Sequence, residues 1–497
     1  MDFFAVNLFL GLYYIRPHEW IPWVGKLHPI LLSVIVAIFA VFRRPEGISK
    51  SELLKTPHDW MMLFYFLWFV GTSDHPIGTF MDVNNVFAFY WITVLTLTNI
   101  ERILKFLTWW NIMILAVAAM AIASEFGIDP THSYEITEWT MKGRLSLNTS
   151  IFDNPNALGH SIVAGVVMIY FLWFWNQSIV GKTASSIILI LPLSCIYLTA
   201  SKGAFLSGFA TVVNAVTFRR PLAVKIGIFV VAGTAGWFAL NSLPRMQELE
   251  YTRNNQAISA RVAAFGFGLD CMQTHFTGIG YGNFEERFFE RNHYLRTAHS
   301  SYVEAGSELG EPGLYLFLGV LYCCFRTLLT ARTNNNEEER TRRVLFGLFV
   351  SYVVSSWMIC WTYRATFFLM VAAIAAFHRQ MLKYNTPQPG SQPAGLEIQM
   401  AIPAGIPTTA TVVRTGGWQP PSAATLVKAE PRPATDITAL FIKPEEEKLK
   451  PGEDRPVIVK LGIQWNRITV LDLICIALVT YATVQFWLYS MHKMHNS

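Results

Sequence analysis

The chain has 497 residues, of which 52% are hydrophobic, 14% aromatic and only 15% charged. A soluble globular domain carries about 25% charged residues, so composition excludes an ordinary soluble domain, and the mean hydropathy of +0.34 agrees. The net charge of +5 does not point to nucleic acid, because the basic residues fall at the ends of apolar runs, where they report membrane topology.

Met1-Asp2-Phe3-Phe4 places an acid where a basic leader would begin, and no small-residue cleavage site follows. The first apolar run is therefore expected to stay as a membrane helix. Candidate membrane helices lie at roughly 3–15, 29–42, 59–73, 84–98, 104–124, 157–176, 184–200, 203–218, 223–242, 301–325, 344–361, 365–380 and 467–489. The fold class expected is all-α, a polytopic helical bundle of about 12–13 transmembrane helices with a large outward loop. Several runs fall short of the ~20 residues that a perpendicular span needs. Ser201-Lys202-Gly203 separates two of them so tightly that it must be a hairpin tip or a broken helix.

With the N-terminus inside, Arg43, Arg44, Lys50 and Lys55, then Arg102, Lys105 and Lys182, fall on the inner side. So do Arg219, Arg220 and Lys225, and later Arg326, Arg332, Arg340, Arg342 and Arg343, while the opposite loop 74–83 has no Lys or Arg. About 125–156 and about 243–300 then lie outside. The second segment is rich in glycine and aromatics, and is expected to fold back onto the membrane surface. After residue 384 composition turns to Pro, Thr, Ala and Gly, then to a charge run near 445–455, which cannot bury enough apolar surface to order itself. The division expected is an N-terminal membrane module (1–124), a membrane core (125–380) with the outward loop 243–300, a disordered cytoplasmic linker (384–466) and a C-terminal transmembrane helix (467–489). No internal repeat is evident. The six cysteines show no metal-ligand spacing, five of them lie in apolar runs, and no disulfide is expected.

No GxxxxGK[ST], HExxH or DxD pattern occurs, so neither a phosphate loop nor a metal site is expected, and no cofactor. What stands out is Arg296-Thr-Ala-His299-Ser300-Ser-Tyr302-Val-Glu304, running on to Glu308, Gly310 and Gly313. His299 falls at an outer helix start, after a loop that holds Arg245, Arg253, Arg261, Arg287, Arg291 and Arg296. A helix N-terminus with arginines beside it favours an anion, and a histidine there can move a proton near neutral pH. Spacing alone leaves open a solvated interfacial histidine, an Arg261 that merely anchors the interface, and a Lys202 that is only a hairpin-tip residue. Asn154-Pro155-Asn156 reads as a turn and helix cap. Glu304 and Glu308, one turn apart, are candidates either to orient His299 or to serve structure.

Asn154-Pro155-Asn156-Ala-Leu-Gly159, Ser201-Lys202-Gly203, Gly278-Ile-Gly280-Tyr-Gly282-Asn283-Phe284 and His299-Ser300-x9-Gly310-x-x-Gly313 together resemble, in order, the O-antigen ligase/polymerase superfamily. The resemblance covers about 150–380. Tyr14-Ile-Arg16-Pro17-x-x-x-Ile21-Pro22 resembles the extra N-terminal module of the O-glycosylation ligases associated with exosortase A systems. The resemblance implies a metal-independent, inverting transferase of the bacterial inner membrane. It would move a glycan from an undecaprenyl-pyrophosphate carrier to an acceptor hydroxyl of a lipid, protein or polysaccharide on the periplasmic side. It makes His299, Arg261 and Lys202 the catalytic candidates, with Arg296, Ser300, Tyr302, Asn156 and Gly310 the candidates for holding substrate. Lys202 stands where the family carries arginine, and lysine keeps the charge but loses the bidentate fork. A polymerase joining lipid-linked repeat units is the close alternative, a transporter of lipid-linked sugars the distant one. The expected partners are the lipid-linked glycan, its acceptor, the bilayer and, through the tail, proteins of the glycan pathway.

Overall fold

A computed structural model of the chain describes residues 2–43, 53–134, 143–218, parts of 220–234, 260–385, 397–400, 411–413, 459–461 and 465–495. They fall into two compact units. One comprises Met1–Thr386, Trp465–Arg467 and Leu473–Ser497, the other Pro387–Gln464 and Ile468–Asp472.

The first unit is built of α1 (Asp2–Ile15), α2 (Pro29–Phe42), α3 (Pro57–Gly71), α4 (Pro76–Thr96), α5 (Ile100–Ser124), α6 (Pro155–Ile169), α7 (Ile179–Leu198), α8 (Lys202–Thr217), α9 (Phe284–Asn292), α10 (Ser301–Thr330), α11 (Asn336–Ser356), α12 (Ala365–Asn385) and most of α13 (Val470–His495). Proline opens α2, α3, α4 and α6, where its missing N–H costs no hydrogen bond. Asn99, Ser178 and Asn335 cap α5, α7 and α11 by accepting backbone N–H bonds. Six described helices are long and apolar enough to cross a membrane, namely α5, α6 with the π turn that follows it, α7, α10, α12 and α13. Helices α1 and α2 are apolar but shorter. The protein is therefore all-α, polytopic and membrane-embedded, as its composition predicts. The count of 12–13 read from apolar runs also takes in shorter or more polar helices such as α3 and α11. Burial sorts them: 78% of the α12 window lies inside the bundle but 17% of the α13 window, so α12 is central and α13 peripheral.

Some boundaries differ from those read in the sequence. Helix α4 starts at Pro76, not 84, because the turn bearing exposed Asp82 does not interrupt it. Helix α11 starts at Asn336, not 344, because Asn335 accepts from Glu338 N (2.8 Å) and Glu337, Glu338 and Glu339 suit the positive end of a helix dipole. The run at 223–242 is helical where described, up to 234, and the rest of it, with 243–259, lies outside the described residues. In the second unit the expectation of a wholly unordered linker needs correcting. Glu397–Met400 (β1), Thr411–Val413 (β2) and Val459–Leu461 (β3) form a three-stranded antiparallel sheet in the order β2-β1-β3. Ile398 pairs with both Val412 and Leu461, so short apolar runs within a polar stretch find partners in one another. The remainder of that stretch lies outside the described residues.

Residues 260–300 contribute a helical stretch at 260–274, a glycine turn and α9. The turn clips onto a break in α10. Gly310 has φ 70 and ψ −174, and Pro312 has no N–H to offer the carbonyl of Glu308 four residues earlier. Instead Gly280 N donates to Glu308 O (2.9 Å) and Ile279 N to Ser307 O (3.0 Å), while the Trp68 indole donates to Leu309 O (2.9 Å). A Cβ on Gly310 would overlap the Phe276 carbonyl, and one on Gly278 would overlap the backbone of Glu308. The glycine spacing of this region is thus a backbone-on-backbone fit.

Candidate active site

A cavity of about 280 Å3 opens at one end of the bundle, where α1 finishes, α6 and α10 begin, and α11 passes into α12. Its lining includes Tyr13, Ser150, Asp153, Asn156, Ser161, Thr297, His299, Cys360, Trp361, Arg364 and Thr366. His299 sits just before α10 with φ 51. Left-handed backbone costs a non-glycine residue on the order of 1 kcal/mol or more and persists only where its surroundings enforce it. Here two buried serines enforce it. Ser301 Oγ donates to Ile359 O (2.8 Å) and accepts from Trp361 N (2.8 Å), and Ser300 Oγ reaches Ser356 O at 3.4 Å. The histidine and the opposite cavity wall are therefore tied to one another.

Burial, together with the positive charges of Arg296 and Arg261, lowers the His299 pKa from 6.5 to about 4. The imidazole is accordingly neutral at neutral pH. Arg261, half-buried at the start of the 260–274 helix, is itself pulled down from the usual arginine value by burial and by Arg296, though an arginine stays cationic. Among the described residues neither guanidinium is ion-paired, and Arg296 Nε is buried without a hydrogen-bond partner. Across the cavity, burial raises the Asp153 carboxyl pKa while the charge of Arg364 works against it. The segment after α1 holds this wall in place: Arg16 pairs with Glu19, whose carboxylate accepts from Ser150 N (2.9 Å) and Ser150 Oγ (2.7 Å).

The residues singled out in the sequence separate into two groups. His299, Arg261 and Arg296 come together electrostatically, and Asn156 lines the same cavity. Asn154 caps α6 as expected, its Oδ1 accepting from Asn156 N (2.8 Å). Asn156 Oδ1 in turn accepts from Arg144 (2.9 Å) and from Ser201 Oγ (2.8 Å), so Ser201-Lys202-Gly203 is a hairpin tip fastened to the cavity wall. Lys202 is exposed on the first turn of α8 and does not line the cavity. Ser300, Tyr302 and Gly310 are buried away from it: the Tyr302 hydroxyl donates to Val353 O (2.9 Å), and Gly310 forms the kink. As holders of substrate these three need correcting, because their polar atoms or backbone are occupied in binding α10 to its neighbours. Glu304 and Glu308 do not orient His299 either. Glu304 accepts from Thr362 N (3.3 Å), and Glu308 accepts from Gly282 N (3.0 Å) and Phe284 N (3.2 Å).

Arg364, Tyr13, Asp153 and Arg144 escaped the sequence reading. A usable signal existed for Arg364, a charged residue in a short gap between two apolar runs. No group of three or more His, Cys, Asp or Glu among the described residues could hold a metal ion.

Residues 187–318 match the family model described as O-Antigen ligase. That match supports a membrane glycan transferase of the ligase/polymerase type. It takes in Lys202, Arg261, Arg296, His299 and Gly310, whereas Tyr13, Arg144, Asp153, Asn156 and Arg364 lie outside it. Of the sixteen residues that line the cavity, Thr297 and His299 fall within the O-antigen ligase match and fourteen lie beyond it. The chain matches no curated protein.

Proposed function

We propose that this protein is a glycan ligase. It would take a glycan from an undecaprenyl-pyrophosphate carrier and place it on an acceptor hydroxyl at the outward, periplasmic face of a bacterial inner membrane. The observation that carries the proposal is a neutral imidazole flanked by two guanidiniums free of ion pairs, in a cavity at one end of the bundle. In the reaction the acceptor oxygen attacks the anomeric carbon, the bond from that carbon to the pyrophosphate oxygen breaks, and configuration inverts. The acceptor proton passes to His299, and the charge left on the carrier pyrophosphate is met by Arg261 and Arg296. Asn156 and Arg364, which line the same cavity, would hold the sugar or the acceptor, whereas Lys202 lies outside the cavity lining.

The electrostatics tie binding to chemistry. The two guanidiniums help keep the resting histidine a weak base, and an anionic pyrophosphate between them would offset their charge. His299 would then recover basicity when the donor is bound. Tyr13, which immediately precedes the segment that resembles the exosortase-associated module, lines this cavity.

The test is reconstitution in liposomes with an undecaprenyl-pyrophosphate-linked oligosaccharide, with and without membrane acceptors, and His299→Ala as control. Transfer that requires acceptor and disappears in the variant supports the ligase. Lengthening of the carrier-linked glycan without acceptor makes it a polymerase. No transfer, with the variant matching wild type in cells, removes the catalytic reading.

A further inference from the structure

The C-terminal helix α13 was expected to reach a partner protein, and its packing indicates another use. Trp487 on α13 is fully buried in a helix that is otherwise the most exposed of the candidate spans. Its indole N–H donates to Phe265 O (3.1 Å), one turn beyond Arg261 on the 260–274 helix. The ring fills a notch made by two glycines. A methyl on Gly268 would lie 3.3 Å from it, and one on Gly306 of α10 would lie 3.1 Å from it. Gly268 is also where the two helices touch, since a methyl there would come within 2.6 Å of Val303, four residues after His299. The neighbouring Phe486 ring packs on Trp357 at 5.0 Å, next to the wall segment 358–361. The inner end of α13 is anchored as well: Arg326 donates to the carbonyl of Trp465 (3.2 Å), and the Trp465 ring stacks on His378 at 4.5 Å.

We propose that α13 belongs to the catalytic scaffold, with Trp487 as a positioning residue that sets the helix bearing Arg261 against the helix led by His299. The ring packs where Gly268 lies against Val303 and Gly306 lies against Met272, so it fills the space between the two helices at their closest approach. Geometry at such a site is unforgiving, because a displacement of about 1 Å can cost on the order of 10²-fold in rate. Part of the active-site frame thus comes from a helix that lies beyond residues 187–318 and is joined to them through a long polar stretch.

The proposal rests on Arg261 and His299 acting together, so its test has one readout that needs no turnover. The charges facing His299 are Arg261 and Arg296, with Asp153 and Arg364 in the same cavity. Histidine-15N-labelled full-length protein in nanodiscs, with the His299 signal assigned by its loss in His299→Gln, reports the titration of His299. If Trp487 holds Arg261 in place, Trp487→Ala moves that titration upward from about 4. It should also lower kcat/KM for the lipid-linked donor by about 10–100-fold, whereas Trp487→Phe, which keeps the ring, stays within about 3-fold of wild type. Should Trp487→Ala fail to fold, Trp487→Leu, which removes the ring but keeps an apolar side chain, decides by the same upward shift of the His299 titration. His299 titrating alike in wild type and in every folded variant would overturn the proposal. Absence of transfer in wild type would instead strike the ligase reading and leave the titration result standing.

Discussion

His299 is strained, half-enclosed and electrostatically suppressed, and each property has a measurable consequence. His299→Ala should reduce transfer by about 10²–10⁴-fold, the usual worth of a positioned proton acceptor, with elution and thermal unfolding unchanged. If Arg261 meets the charge on the leaving group as proposed, Arg261→Ala should cost about 10²–10³-fold. Arg261→Lys should fall between, because it keeps charge without the fork. The pH dependence follows from the direction of the His299 shift. Its folded pKa, about 4, lies below the ordinary 6.5, so the folded state resists protonation. This group therefore contributes stability that is fully present above pH 6.5 and lost as pH falls toward 4. Arg296→Gln deletes one of the two opposing charges. The acid limb of the pH–rate profile for donor-free enzyme should then move upward, and stability near pH 5 should fall less steeply than in wild type, burial being unchanged. An acid limb that stays where it is in Arg296→Gln would remove the proximity of the two side chains from the explanation.

At the scale of elements, the break in α10 shows how much of a motif can be structural. His299 and Gly310 are linked in the sequence by fixed spacing, yet only the histidine reaches the cavity. Gly310 breaks the helix so that the glycine turn can bond to the carbonyls of Ser307 and Glu308, the second of which Pro312 leaves without a donor. Gly310→Ala places a Cβ against the Phe276 carbonyl in a left-handed conformation, so a loss of about 3 kcal/mol or more is expected from strain and overlap together. Thermal unfolding in detergent would read it, and a variant as stable as wild type would show that the turn can move away. The helices themselves were legible because bilayer apolarity is written in long uncharged runs, and so was the gathering of Arg261 and Arg296 beside His299. Tyr13, Asp153 and Arg364 were not legible. They reach the cavity from α1, the α5–α6 segment and the α11–α12 turn, and no local pattern encodes a meeting of chain segments so far apart. Ser300 and Tyr302 were misassigned for the converse reason, since polar residues next to a catalytic candidate look like ligands until their partners across the helix interface are known.

At the scale of the whole molecule, the cavity lies where every contributing chain end points the same way. Tyr13 closes α1, Asn156 opens α6, His299 precedes α10, and Arg364 lies between α11 and α12. Among the described residues, Arg43, Lys55, Arg102, Lys105, Arg220, Arg326, Arg332, Arg340, Arg342 and Arg343 gather at the opposite ends. If basic clusters mark the cytoplasmic side, the cavity faces outward, toward the compartment where lipid-linked glycans are transferred to acceptors. Single cysteines placed at exposed Tyr294 and at exposed Glu337, after replacement of half-buried Cys360 and Cys475, test this directly. In intact cells made permeable only at the outer membrane, a membrane-impermeant maleimide should label Tyr294→Cys and spare Glu337→Cys until the inner membrane is opened. The reverse pattern would turn the cavity toward the cytoplasm. A polyprenyl-linked donor presented at the outer leaflet would then have no route to His299, and the ligase reading would fall however well the isolated site bound pyrophosphate.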